Sequence, residues 1–256
     1  MSEVAEAAPA ALDSRWTSVR RVAIVPALNE EEAIARVIDE IRAFDPGLEI
    51  VVIDDGSVDR TAAVAEERGA HVIRLPFNLG IGGSVQTGFR YAFEQGFRLA
   101  VRLDGDGQHA ASELGKLLGP VLADETDIAV GSRFLAGAGY RSTRSRRMGI
   151  TILAKTVSML VRRRVTDPTS GFQALNRRAI ALFATDYPHD IPEVEAVLMT
   201  HKHKLRMTEV AVEMRERAGG RSSIGNLFAV YYMVKVLLAL FVGLFRKNVT
   251  PLEDVK

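Results

Sequence analysis

The sequence predicts an α/β protein with a mostly parallel sheet flanked by helices. Short apolar runs alternate with stretches of helical periodicity from residue 21 to residue 132. This alternation is typical of parallel strands that are joined by helices. The runs are also apolar throughout, without alternating polar residues, as expected for strands that are covered on both faces.

The first strand, predicted at residues 21–25, ends at Pro26 and leads into a helix. Asn29 occupies the position of a helix N-cap, and the three glutamates after it suit the positive first turn of a helix. Pro46 and Gly47 end this helix. Four aliphatic residues at helical spacing mark its buried face: Ile34, Val37, Ile38 and Ile41.

Further strands are predicted at residues 50–53, 72–73, 99–103 and 128–130. Helices are predicted between them, the first ending near Gly69 and the others at about residues 84–95 and 112–122. The run from Gly80 to Val85 is similar to a dinucleotide-binding loop. It lacks the third glycine, however, and follows the third strand instead of the first, which argues against a Rossmann dehydrogenase.

The composition bounds the class of protein. The chain has 256 residues, which is enough for one substantial domain. A net charge of +1 argues against a dedicated nucleic-acid-binding protein. The absence of cysteine excludes disulfides, thiolate zinc sites and a cysteine nucleophile. The Ala- and Glu-rich N-terminus lacks the pattern of a signal peptide, and we expect residues 1–18 to form a flexible tail.

Three turns rich in carboxylate and amide groups follow predicted strands. They are Asn29-Glu30, Asp54-Asp55 and Asp104-Gly105-Asp106, with Gln108 just beyond. The carboxyl ends of parallel strands meet at the edge where open α/β sheets bind ligands. Each turn alone could be a solvated turn or a cap, but together the carboxylates would repel one another unless a cation or donor groups compensate. A nucleotide-sugar with Mg²⁺ or Mn²⁺ would supply both.

Several short stretches at the predicted strand ends carry a resemblance to a known family. They are Val25–Glu30, Val52–Ser57, Asn78–Gly80, Leu103–His109, Gly131–Phe134, Asp167–Phe172 and Arg217–Ser223. With these stretches the chain resembles the family 2 glycosyltransferases of the GT-A fold, in the branch of dolichyl- and polyprenyl-phosphate sugar synthases. The resemblance implies a catalytic domain at residues 19–224 and a metal-dependent, inverting glycosyltransferase.

The resemblance also implies roles for individual residues. The nucleotide of the donor would be bound by Pro26, Leu28, Asn29, Glu30, Asp54, Asp55, Asn78, Gly80 and Gly105. Mg²⁺ or Mn²⁺ on the donor diphosphate would be held by Asp104, Asp106 and Gln108. The residues expected to act in catalysis are Asp104, Asp106 and Arg133.

Two further groups of residues are implied on the phosphate side. The acceptor phosphate would be bound by Arg133, Arg147 and Thr151. A loop closing over the donor diphosphate would contribute Arg217, Arg221 and Ser222. The chain departs from the family pattern at Ser223, where lysine is common, so that the cation there is either Arg221 or absent.

A phosphate acceptor fits the chemistry of these residues. A phosphate monoester is ionised near neutrality and needs cations, for which arginine is well suited, whereas an alcohol acceptor needs a general base. Two alternatives stay open. One is transfer to a hydroxyl of a glycan or lipid-linked saccharide, with Asp190, Glu193 or Glu195 as the base, and the other is a non-catalytic GT-A scaffold. The sole tryptophan, Trp16, lies in the expected tail, which disfavours a processive synthase with its tryptophan-containing motif.

The C-terminal part has a long apolar run, Leu227–Phe245, with Lys235 as its single charge. We expect a membrane-associating helix at residues 225–248, lying on the cytoplasmic face of the cell membrane, and a tail at 249–256. Packing on the helices of a small integral membrane protein and burial in the core of the domain are the alternatives. The expected partners are a nucleotide-sugar, polyprenyl phosphate and the membrane surface, with no nucleic acid, and a homo-oligomer stays open.

Overall fold

A computed structural model describes residues 14–135, 144–189, 191–215, 235–236, 238–242 and 249–253, with the backbone alone at 144–148. The strands of this part of the chain are β1 (Arg21–Ala27), β2 (Glu49–Asp54), β3 (His71–Arg74), β4 (Leu99–Arg102), β5 (Ile128–Ser132), β6 (Gln173–Asn176) and β7 (Met207–Ala211). The helices are α1 (Ser14–Thr17), α2 (Ile34–Phe44), α3 (Thr61–Glu67), α4 (Gly80–Glu94), α5 (Leu114–Leu122), α6 (Arg144–Val161), α7 (Arg177–Thr185) and α8 (Pro192–Lys202). A 3₁₀ turn, Ala111–Glu113, precedes α5.

The strands form one mixed sheet in the order β3-β2-β1-β4-β6-β5-β7. Neighbouring strands are parallel except at β6, which is antiparallel to both β4 and β5. The predicted mostly parallel α/β sheet is therefore confirmed. The register pairs Ile24 with Val51 on one side and with Arg102 on the other, so that β1, β2 and β4 end close together.

The sheet is covered on both faces, as its apolar strands predict. Val22 and Ile24 of β1 belong to one apolar cluster with α4 and α7, and Ala23 and Val25 belong to a second cluster with α2 and α5. Gly88 of α4 lets that helix approach the sheet closely, because a Cβ at this position would lie 2.3 Å from Ile24 Cγ2. The two cores hold the carboxyl ends of the central strands in fixed relative positions.

Two expectations about helix starts are wrong. Asn29 does not cap a helix, since α2 begins at Ile34, and Asn29 has a left-handed backbone with φ of 54°. Helix α4 begins at Gly80, not near Ser84, so the glycine-rich run forms its first turn. Close packing explains Gly82, because a Cβ there would lie 2.3 Å from the carbonyl oxygen of Pro188, whereas Gly80 has a positive φ of 79° and open space around it.

Trp16 is not part of a flexible tail. Its side chain is fully buried in the second cluster, and its Nε1 donates a 2.7 Å hydrogen bond to Asp45 Oδ2. Asp45, at the end of α2, also pairs with Arg21 at the start of β1, so that α1 is joined to both elements. Residues 14–18 therefore do not belong to a flexible tail, and the predicted boundary at residue 18 is wrong.

The described pieces of the C-terminal region contact the body of the domain. Val236 and Leu240 are buried in the first apolar cluster, whereas Leu238 and Val242 are each 59% exposed. Leu252 N–H donates a hydrogen bond to Thr185 Oγ1 at the end of α7. Within the described ranges, no helix is both long and apolar enough to cross a bilayer. The rest of the expected helix at 225–248 lies outside the described residues.

Candidate active site

A cleft of about 320 Å³ opens at the carboxyl ends of β1, β2 and β4. It is lined by Pro26, Ala27, Leu28, Glu30, Asp55, Asn78, Gly80, Ile81, Ser84, Asp104, Gly105 and Asp106. The three acidic turns of the sequence therefore converge on one space. The set includes both carboxylates of the Asp104-Gly105-Asp106 motif and most of the residues expected to bind a nucleotide.

Asn29 and Asp54, expected to bind nucleotide, do not line the cleft but hold its wall together. Asn29 N–H donates to Ser57 Oγ at 2.9 Å, and Asn29 Oδ1 accepts from the N–H of Val58 at 2.9 Å. Asp54 is buried and accepts from Ser57 N–H at 3.1 Å. These contacts join the loop after β1 to the loop after β2.

Asp55 connects the next pair of loops. Its Oδ1 accepts a 2.7 Å hydrogen bond from Leu79 N–H, at the residue just before α4. Burial raises the pKa of Asp55, and the nearby charge of Asp54 adds to this, while the N–H groups of Leu79 and Gly80 oppose it. The loop that carries Asn78 and Gly80 is thereby fixed against the end of β2.

The Asp104-Gly105-Asp106 turn lies directly against the end of β1. Gly105 N–H donates to the Pro26 carbonyl at 3.1 Å, and a Cβ on Gly105 would lie 3.0 Å from Ala27 Cβ. Asp106 Oδ1 accepts from Gln108 N–H at 3.0 Å. Because residue 105 is glycine, the turn can pack closely against β1, and both carboxylates line the cleft at the carboxyl ends of the central strands.

His109 supports this turn from behind. It is buried, stacks on Phe172 with ring centroids 4.8 Å apart, and accepts the Asp104 N–H through Nδ1 at 3.0 Å. An accepting Nδ1 means that the ring proton is on Nε2. Burial lowers the pKa of His109. His109 thus holds the backbone of Asp104 in place within this loop.

Arg102, the last residue of β4, is a buried cation that the sequence analysis did not identify. Its guanidinium donates to Glu193 Oε1 at 2.7 Å, to Tyr187 Oη at 3.1 Å and to Asp104 Oδ1 at 3.4 Å. Burial alone would raise the pKa of Asp104, but His109, Arg102 and Arg133 lower it below its usual range. Asp104 is therefore held as a carboxylate.

The donor set fits a divalent cation with oxygen ligands. Asp104 and Asp106 supply two carboxylates, and within the described ranges no three or more His, Cys, Asp or Glu side chains lie close enough together to hold a metal ion. Mg²⁺ is usually bound by one or two carboxylates, with substrate phosphates and water completing the shell. Asp104 and Asp106 are the residues that would hold it. Gln108, the third expected ligand, does not line the cleft.

Arg133, expected to face the acceptor phosphate, is buried in an ion pair with Asp167. Its Nε and Nη2 each lie 2.7 Å from one carboxylate oxygen of Asp167, and Asp167 N–H donates to Glu209 of β7. The guanidinium does not line the cleft, although its charge lowers the pKa of Asp104.

The other residues predicted to act at the site either do not line the cleft or lie outside the described residues. Thr151 is exposed on α6, and the side chain of Arg147 on the same helix is not described. The donor-loop residues Arg217, Arg221 and Ser222 lie outside the described residues, as does Asp190. Glu193 lies in the first turn of α8, where its carboxylate is paired with the buried Arg102 and its side chain is 18% exposed. Glu195 is half-buried in α8.

A family model for glycosyl transferase family 2 matches residues 22–183, a stretch that includes the cleft and the Asp104-Gly105-Asp106 turn. The chain belongs to this family. It is 30% identical over 217 residues to a polyprenol monophosphomannose synthase of Mycolicibacterium smegmatis, covering 81% of this chain and 82% of the relative. It is 29% identical to an undecaprenyl-phosphate mannosyltransferase of Micrococcus luteus, over 81% of this chain and 88% of the relative.

Other relatives differ in the sugar that their names give. A UDP-N-acetylglucosamine–dolichyl-phosphate N-acetylglucosaminyltransferase of Methanococcus voltae is 28% identical, over 84% of this chain and 94% of the relative. Among solved structures, glucosyl-3-phosphoglycerate synthase from Mycobacterium tuberculosis with Mg²⁺ and UDP superposes with a TM-score of 0.70 at 21% identity. That match covers 88% of this chain and 80% of the other and shows a shared fold, the GT-A architecture expected from the sequence.

Proposed function

We propose that this family 2 glycosyltransferase moves a sugar from a nucleotide-sugar to polyprenyl phosphate at a membrane surface. The observation that carries the proposal is the convergence of Asp104, Asp106 and the nucleotide-side residues on one cleft. The names of the relatives point to the same donor and acceptor classes. UDP-hexose, UDP-N-acetylhexosamine and GDP-mannose are the candidate donors.

The cleft residues bind and orient the donor in this proposal. Pro26, Leu28, Glu30 and Asp55 face the nucleoside, with carboxylates available to accept hydrogen bonds from base and ribose. Asp104 and Asp106 lie on the diphosphate side. Mg²⁺ or Mn²⁺, when bound there, would neutralise charge on the departing nucleoside diphosphate. The carboxylate state of Asp104 keeps that position ready for a cation.

The acceptor needs no general base in this reaction, because a phosphate monoester is already an anion near neutrality. Glu193, a candidate base for an alcohol acceptor, is paired at 2.7 Å with Arg102 and is poorly placed to accept a substrate proton. The acceptor phosphate would instead require positive potential close to the diphosphate. Arg133 contributes such potential at Asp104, and Arg147 and Thr151 of α6 are the proposed phosphate contacts.

The membrane surface is the proposed place of action, because a polyprenyl chain stays in the bilayer. The exposed apolar side chains Leu238 and Val242 suit a peripheral contact with lipid. Three further parts of this proposal rest on the sequence alone. They are action at the cytoplasmic face of the membrane, binding to a small integral membrane protein and assembly into a homo-oligomer.

The test is a product assay with purified full-length protein. The protein is incubated with a panel of UDP- and GDP-sugars, Mg²⁺ and a short polyprenyl phosphate, and the lipid is analysed by mass spectrometry. We expect a lipid-phosphate-sugar from one donor, lost when EDTA is added. A product formed only with sugar or lipid alcohols would contradict the acceptor, and no transfer with any donor would favour the scaffold.

A further inference from the structure

Arg102 is an unusual residue for its position in the sheet. It lies on a central strand with its side chain 1% exposed, next to Ala100 and Val101, which are fully buried. A guanidinium taken out of water is strongly destabilising unless charged partners compensate. The partners here come from far along the chain, because Glu193 and Tyr187 both belong to the segment around the start of α8.

The contacts of Arg102 are unequal. Its Nη2 lies 2.7 Å from Glu193 Oε1 but 3.4 Å from Asp104 Oδ1, and Nε has no hydrogen-bond partner among the described residues. Gly171 closes the other side, since a Cβ there would lie 2.8 Å from the same Nη2. Glu193 is therefore the main ion-pair partner of Arg102, and the contact of Arg102 with Asp104 is longer and weaker.

We propose that Arg102 and Glu193 form a positioning pair that aims the Asp104 carboxylate at a divalent cation. This inference rests on the proposed function. Arg102 holds Oδ1 of Asp104, and Oδ2, which lies 3.9 Å from His109 Nε2, is the oxygen left for the cation. Glu193 balances Arg102, so that the guanidinium does not neutralise Asp104 by pairing with it fully. Neither residue touches the substrate or the cation.

The same segment also supports the donor side of the cleft. Between Tyr187 and Glu193, the backbone of Pro188 and His189 packs against Gly82 in the first turn of α4. Gly80 and Ile81 of that turn line the cleft. The segment from Tyr187 to Glu193 is thus in contact with two walls of the site, one through Arg102 and the other through α4.

A purely structural ion pair is the competing interpretation, and the two make different predictions. A buried pair that serves only stability can be replaced by apolar residues of similar volume at little cost. A positioning pair cannot be replaced in this way, because Asp104 would keep its charge but lose its orientation. Groups that orient metal ligands typically contribute about 10- to 100-fold to metal affinity.

The experiment measures Mn²⁺ binding to full-length protein in the presence of UDP, by the electron paramagnetic resonance signal of free Mn²⁺. The variants are Glu193→Gln, which keeps the shape, and the double variant R102M/E193M, which removes both charges. For both we expect Mn²⁺ affinity to fall roughly 10- to 100-fold. The affinity for UDP without metal should stay close to that of the wild type in both variants. The urea midpoint of the double variant should also stay close to the wild-type value.

Arg21→Met is the matched control, because it breaks another buried arginine–carboxylate pair, with Asp45, away from the cleft. It should lower the urea midpoint and leave Mn²⁺ affinity unchanged. Wild-type Mn²⁺ affinity in either Glu193→Gln or R102M/E193M would overturn the positioning pair alone. If the wild-type protein itself bound no Mn²⁺ with UDP, the metal part of the proposed function would fail, and the positioning pair with it.

Discussion

Asp104 and Asp106 have different surroundings although a single glycine separates them. Asp104 contacts the buried Arg102 and lies near His109, whereas Asp106 accepts a hydrogen bond from the N–H of Gln108 in its own turn. Both carboxylates face the same cleft. Asp104 is thus held by a residue of the protein core, and Asp106 contacts the backbone of its own turn.

Replacing either carboxylate by its amide, Asp104→Asn or Asp106→Asn, should reduce the rate of sugar transfer by about 10²- to 10⁴-fold. The physical reason is the loss of one anionic oxygen that would hold the cation on the diphosphate. Turnover with saturating donor and metal measures this. Asp124→Asn is the matched control, because Asp124 is 84% exposed and precedes β5 at the opposite edge of the sheet. Equal losses in all three variants would contradict the assignment.

Gly171→Ala should weaken both the fold and the site. The new methyl group would lie 2.8 Å from Arg102 Nη2 and 3.3 Å from Asp104 Oδ1, and the guanidinium cannot move freely because Glu193 and Tyr187 hold it. Overpacking of this kind costs about 1–3 kcal/mol of unfolding free energy. Urea unfolding and transfer activity should both decrease.

Gly115→Ala is the matched control for this substitution. A Cβ on Gly115 of α5 meets nothing within 4 Å. Alanine is favoured over glycine in helices by about 1 kcal/mol, so this variant should be at least as stable as the wild type. A Gly171→Ala protein with unchanged stability and activity would mean that Arg102 tolerates displacement.

The sequence predicted the residues of the cleft better than the residues behind it. Asp104, Asp106 and Asp55 stand at strand ends, and the geometry of parallel sheets brings strand ends together whatever the details of packing. The role of Arg102 is hard to predict from the sequence because this residue stands within an apolar run and its partner Glu193 is 91 positions away. A charged residue inside such a run was the signal, but no local pattern could identify its partner.

At the scale of elements, the α1 turn depends on one buried carboxylate. Asp45 accepts hydrogen bonds from Trp16, from Arg21 and from Gly47 N–H. Burial alone would raise the pKa of Asp45, but these hydrogen bonds and the charge of Arg21 bring it below the ordinary value of 3.8. The stabilising contribution is therefore complete above the ordinary pKa and is lost as pH falls through the lowered pKa of the folded state.

Asp45→Asn should lower the unfolding free energy at neutral pH by about 3 kcal/mol, because it leaves Arg21 without its charged partner. Trp16 is the sole tryptophan, so its fluorescence reports on this contact directly. We expect blue-shifted emission in the wild type. On acidification, the difference in stability between wild type and variant should shrink. A pH-independent difference, or solvent-exposed emission at neutral pH, would contradict the structure.

The C-terminal region should separate into a face that stabilises the domain and a face that contacts lipid. Leu240→Ala should lower the unfolding free energy by about 2–5 kcal/mol, since Leu240 is buried in the first apolar cluster. Leu238→Ala on the exposed face is the matched control and should change stability by less than about 0.5 kcal/mol. Sedimentation with anionic vesicles should be weakened in a Leu238→Ser and Val242→Ser double variant. Unchanged sedimentation would argue against lipid contact at this face.

The elements that the sequence did not reveal have weak local patterns. β6 has four residues and begins with Gln173, and β7 mixes exposed and buried positions without strict alternation. Their places in the sheet follow from pairing with β4 and β5, which is a tertiary effect. The start of α4 was placed too late because glycine is unfavourable in helices, and contact with the Pro188 carbonyl overrides that preference.

At the scale of the whole molecule, the cleft and the contacts of Arg102 with Tyr187 and Glu193 are linked by the end of one strand, β4. β4 delivers Asp104 to the open edge of the sheet and Arg102 to the interior in contact with α8. A cation held by Asp104 would therefore adjoin a network of contacts that continues into the core through Arg102 and Glu193.

The most direct measurement is a crystal structure of the protein grown with Mn²⁺ and UDP, with anomalous scattering recorded for manganese. We expect an anomalous peak in direct contact with Asp104 and Asp106, with the diphosphate of UDP on its other side and the nucleoside between Pro26 and Asp55. A manganese ion bound away from both carboxylates, or UDP bound outside the cleft, would contradict it.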